Sequence, residues 1–98
     1  MSEKMNEKTS NWTFLTNHSH VLLCLAKDSS MRIRDLAVDV GITERAVQRI
    51  LAELVEGGFL EKIKEGRRNL YKLQADKPLK HPVEAHKNVQ DLISLIYN

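Results

Sequence analysis

A mainly α-helical domain with one small β-hairpin, an α+β fold, is what this sequence predicts, on three observations that stand in register. Two apolar-striped helices meet at a tight turn around Gly41, a Gly57-Gly58 pair closes the second of them, and a basic hairpin runs from Phe59 to Leu73, turning at Gly66. Apolar residues recurring every three to four positions mark helix and alternation marks strand. The change of period at the glycine pair therefore marks where helix gives way to hairpin.

A chain of 98 residues supports one small core, since it buries only roughly 60 to 65% of its unfolded surface. Association with a second copy is a natural source of further burial. With 42% hydrophobic and 29% charged residues the composition is that of a globular protein. No apolar run approaches the roughly 20 residues that span a bilayer, and no secretory leader pattern is seen. The single Cys24 excludes an internal disulfide framework, so a reducing cytoplasm is the expected setting. The net charge of +2 is small, but it is not spread evenly. Both flanks are neutral, and the whole excess lies between positions 32 and 72, as an electrostatic footprint for a polyanion would be placed.

Residues 1–11 are polar and without apolar period, which predicts a flexible tail. From Thr16 or Asn17, either of which can cap, Val21, Leu22, Leu25 and Ala26 make a first helix that Asp28-Ser29-Ser30 ends; Leu23 and Cys24 widen its stripe to burial nearly all round. Ile33, Leu36, Ala37 and Val40 give a short second helix, closed by Gly41 in the left-handed conformation. Thr43 caps a third, Glu44 suits its first turn, and Val47, Ile50, Leu51 and Leu54 form its buried stripe. Phe59, Ile63, Tyr71 and Leu73 fall on alternating positions of two strands, with Glu65-Gly66-Arg67-Arg68-Asn69 expected as the loop. After Pro78, Pro82 suits an early helical position. Val89, Leu92, Ile93 and Ile96 mark one face of a last helix. The domain expected is 12–75, with 76–98 a linker and a helix for dimerisation.

Helix-turn-helix plus basic hairpin makes a winged helix-turn-helix. From about Thr16 to Leu73 the chain resembles transcriptional regulators of the MarR-like and ArsR-like kind, most specifically in Ala46 to Leu60 and in Gly66-Arg67-Arg68-Asn69-Leu70-Tyr71. Thr16-Asn17-His18, Gly41 to Ile50 and Lys80-His81-Pro82 resemble a group of small prokaryotic regulators of similar length. The resemblance implies a homodimer whose third helices enter successive major grooves of double-stranded DNA while the wings touch backbone or minor groove. The paired cysteines of metal-sensing ArsR-like members have no counterpart here. A small-molecule effector is left as an open partner.

Arg45, Gln48 and Arg49 on the outer face of the third helix are the expected base-reading residues, because Arg bridges guanine O6 and N7 and Gln bridges adenine N6 and N7. Thr43 and Glu44 are secondary, the first as cap and the second as an acceptor for cytosine N4. Lys62, Lys64, Arg67, Arg68 and Asn69 on the wing, with Arg34 on the second helix, are expected at phosphates, where they add affinity and salt dependence but little sequence information. Arg32 is placed to do the same. The bland alternative is a solvated helix face and a hairpin kept soluble by its charges.

Trp12, Phe14, Val89, Leu92, Ile93 and Ile96 exceed what a minimal winged domain needs for its core, and are expected at a dimer surface. His20 and Cys24 stand four apart on one helix, as two metal ligands would. Cys24 lies among apolar residues, where a free thiol behaves as a small hydrophobe, so neither metal nor cofactor is expected. No nucleophile, base and orienting group assemble from any motif, and no glycine-rich phosphate loop is present, which argues against an enzyme. The sequence thus predicts a DNA-binding regulator acting as a homodimer on a near-palindromic operator. The alternative is a winged-helix adaptor within a transcription or replication assembly.

Overall fold

The computed structural model describes residues 12–98, so the expected tail over 1–11 lies outside the described residues. In chain order the elements are α1 (Asn17–Lys27), α2 (Ile33–Val40), α3 (Glu44–Glu56), β1 (Leu60–Glu65), β2 (Arg68–Leu73) and α4 (Val89–Tyr97).

Helix boundaries follow from local chemistry. Thr16 and Thr43 each turn a hydroxyl back to accept an N–H three residues on, from Ser19 at 3.3 Å and Ala46 at 3.0 Å. That satisfies one of the donors a helix start leaves orphaned. Gly41, at φ 84°, ends α2 while its own N–H bonds the Ala37 carbonyl. The first three helices close over Val21, Leu25, Leu36, Val47 and Ile50, each at most 2% exposed. Phe59, Leu60 and Tyr71 seal the open side.

The hairpin is tighter than the sequence suggested. Pairing continues from Leu60↔Leu73 to Glu65↔Arg68, which leaves Gly66 and Arg67 as a two-residue loop instead of five. Gly66 takes φ 63° and, among the described residues, no other residue type has a positive φ, the order a type II′ turn requires. Its twist matches the strands, so Arg68 and Asn69 stay in the ladder. Ile63, expected on the buried face, is 41% exposed. The register pairs Ile63 with Leu70, on the face opposite Leu60, Tyr71 and Leu73.

The C-terminal segment is also arranged differently. Pro82 begins no helix: turns occupy the stretch up to Lys87, and α4 starts at Val89 under a capping box in which Asn88 and Asp91 exchange hydrogen bonds. Asn88 outcompetes Pro82 because its side chain accepts the Asp91 N–H while the Asp91 carboxylate accepts its own. The helix start is drawn onto the domain by Val89 N–H to the Lys77 carbonyl and Gln90 N–H to that of Ala75. Val89 consequently lies in the domain's own core at 1% exposure, a correction to its expected place on a dimer surface. Ile93 packs against the same core, and Leu92 is half-buried. Farther along α4 the apolar side chains remain outside: Leu95 is 75% exposed, Ile96 46%.

Candidate nucleic-acid interface

Helix α3 divides cleanly. Val47, Ile50, Leu51 and Leu54 are buried, while Glu44, Arg45, Gln48, Arg49 and Ala52 are exposed along the opposite face. The threonine cap fixes where this face begins, and the four-residue spacing of Arg45, Arg49 and of Gln48, Ala52 stacks each pair one turn above the other. Small Ala52 keeps the far end of the face low.

The hairpin register assigns the wing residues to faces. Lys62, Lys64, Asn69 and Tyr71 share one side, since Lys62 pairs with Tyr71 and Lys64 with Asn69. That side meets α3: Gln48, Ala52, Lys62 and Asn69 line one groove of about 570 Å³ floored by Leu51 and Tyr71. Arg67 occupies the loop. Arg68, expected at the loop with it, lies in β2 on the other side, its guanidinium donating to the Ser30 carbonyl. Arg32, Arg67, Arg68 and Asn69 nonetheless line a common hollow of about 320 Å³ beside the start of α2. Arg34 is exposed on α2.

Two acidic groups modify this basic surface. Glu53, on α3, accepts from His18 of α1 at 2.7 Å and lies 3.9 Å from Arg49. The His18 hydrogen bond, above all, holds its carboxyl below the usual range, with Arg49 adding. Asp28 accepts from both the Ser30 hydroxyl at 2.7 Å and the Ser30 N–H at 3.0 Å, and these bonds, side-chain first, lower its carboxyl. Neither role was read from the sequence. The Arg49–Glu53 spacing could have signalled an ion pair; His18 is 35 positions away and left no local trace. His20, considered as a ligand with Cys24, shares a 3.1 Å contact with Asn17. Burial, then Asp39, pushes the Cys24 thiol upward, away from the thiolate a metal prefers. Among the described residues no group of three or more His, Cys, Asp or Glu is placed to hold a metal ion.

A family model described as winged helix-turn-helix DNA-binding matches residues 15–61, from just before α1 into β1. The fold is that of a winged helix-turn-helix. In it α2 and α3 make the helix-turn-helix, and β1–β2 the wing. Among solved structures, the zinc-dependent MarR family transcriptional regulator AdcR in its Zn(II)-bound state is similar at TM-score 0.49 and 28% identity, over 66% of this chain. This chain spans only 47% of that regulator's length. No curated protein sequence matches. No helix among the described residues is long and apolar enough to cross a membrane.

Proposed function

We propose that this protein is a transcriptional regulator that binds double-stranded DNA in the cytoplasm as a homodimer, with α3 of each protomer in a major groove and the wings on the flanking backbone. The observation that carries the reading is the division of α3: its inner stripe is consumed by the core, while Arg45, Gln48 and Arg49 stay exposed and the wing sets Lys62 and Asn69 in one groove with Gln48. Arg and Gln at such a face can discriminate guanine and adenine. Two symmetry-related reading helices call for a near-palindromic operator with half-sites about 34 Å apart.

Unpartnered apolar surface at both ends supports the dimer. Trp12 and Phe14, packed edge-to-face at 5.1 Å, are 66% and 92% exposed, and Leu95 and Ile96 are exposed on α4. A groove of about 670 Å³ between α1, the end of α3 and α4, floored by Leu22, Phe59 and Leu92, would suit a small effector. The decisive experiment is selection of bound duplexes from a random pool, then titration of Arg45→Ala/Arg49→Ala on the recovered site. Recovery of an inverted repeat, with discrimination lost in the double variant, is expected. Full discrimination in the variant would refute the assignment of α3.

A further inference from the structure

A two-stranded hairpin is marginal by itself, so a wing that is to meet DNA at a set angle needs an anchor. β1 and β2 pair only with each other. Two donors of β2 reach the turn between α1 and α2: the Tyr71 N–H meets the Ser29 carbonyl at 3.3 Å, and the Arg68 guanidinium meets that of Ser30. That turn is itself shaped by Asp28. Its carboxylate holds the Ser30 N–H and hydroxyl, its carbonyl accepts from Met31 at 3.2 Å, and its N–H closes α1 on Cys24 at 3.1 Å.

We propose that Asp28, Ser30 and Arg68 form a brace that fixes the wing against the helices, so that Arg68 is a positioning residue rather than a phosphate contact. The inference rests on the DNA-binding reading above. Chemistry separates the two roles by sign. Asp28 is an anion beside the wing, and removing it makes the surface more positive; by electrostatics alone DNA binding should tighten. A brace requires the reverse, because the freed hairpin has an orientation still to be fixed at the moment of binding.

Asp28→Ala removes both charge and acceptor; Asp28→Asn removes the same charge but keeps an acceptor for the Ser30 N–H. Duplex titrations at one low salt concentration should show Asp28→Ala about fivefold weaker than wild type, the scale of one lost restraint, and Asp28→Asn within about twofold of it. Amide exchange at Tyr71, read without DNA, should quicken in Asp28→Ala and in Arg68→Ala, but not in Arg67→Ala. Asp28→Ala binding as tightly as wild type or tighter, or the two Asp28 variants binding alike, would overturn the brace. Should the wild-type chain bind no duplex, the regulatory reading fails, and Tyr71 exchange decides alone: unchanged in Arg68→Ala, it overturns the brace; quickened, it upholds it.

Discussion

His18 Nε2 stands 2.7 Å from Glu53 Oε1, and Arg49 Nη1 approaches the same carboxylate oxygen at 3.9 Å from one turn earlier on α3. A carboxylate thus lies between a histidine of α1 and an arginine proposed to read DNA, a competing partner for that arginine. Glu53→Gln removes that competitor and one negative charge near the phosphates. Binding to any duplex should tighten by about threefold, with a steeper salt dependence. Titration across a salt series measures both, and weaker binding would show that Glu53 aims Arg49 toward DNA instead of restraining it.

The same pair gives a pH dependence with a definite sign. The folded-state carboxyl of Glu53 lies below its ordinary value of 4.5, so the folded form binds fewer protons in that window than the unfolded form. Stability from the pair is fully present above the ordinary value and is lost as pH falls through the depressed one. Thermal unfolding of wild type and Glu53→Gln should therefore differ at neutral pH and converge in acid. Both groups are solvent-exposed, so the difference is small. A gap that widened on acidification would contradict the assignment.

On α2, neighbours two positions apart should respond oppositely to truncation. Leu36 is fully buried and Val38 is 74% exposed. Leu36→Ala leaves a cavity under α1 and α3 and should cost about 3 kcal/mol, whereas Val38→Ala should change stability by less than about 0.5 kcal/mol. Urea unfolding resolves the two. Equal effects would mean that α2 does not present the face described.

Where side-chain period and capping chemistry decide, the residues alone were enough. The stripe Val47, Ile50, Leu51, Leu54 is the buried face of α3, and Thr43 is its cap, because burial of apolar surface and an unsatisfied N–H are both written in local spacing. What could not be read depends on partners distant in sequence. Ile63 alternates with Phe59, yet the cross-strand register sets it beside Leu70, on the face opposite Tyr71 and Leu73. Val89 shows the opposite case: its apolar period fits a free helix face, but the Val89 N–H and Lys77 carbonyl hydrogen bond carries it into the core. Arg68 and Glu53 acquire their partners across 38 and 35 positions, separations at which no periodicity reports.

Gly66 tests the two-residue turn directly. With φ at 63° and open space around a hypothetical Cβ, substitution meets backbone strain without steric contact. Gly66→Ala should cost about 1 kcal/mol through the left-handed penalty alone, and Asn should be tolerated better than Ala. Chemical denaturation compares the three. If the loop were instead the five-residue one that composition suggested, the strands would be less tightly constrained there and all three would behave alike.

The last helix should separate assembly from folding. Leu95 is 75% exposed and Val89 1%, six residues apart on α4, so one is available to a partner and the other is spent within the protomer. Leu95→Arg places a charge on the outer face, where it meets only water in a monomer but faces desolvation in a dimer. Sedimentation should show dissociation to monomers, with protomer secondary structure intact. Val89→Ala removes two buried methyl groups and should lower stability by about 2 kcal/mol. Since a dimeric regulator must hold two reading helices at one fixed spacing, Leu95→Arg should also lose preference for an inverted repeat over a half-site, while each half-site is still recognised. Retention of that preference by a monomeric variant would remove the connection between α4 and operator symmetry.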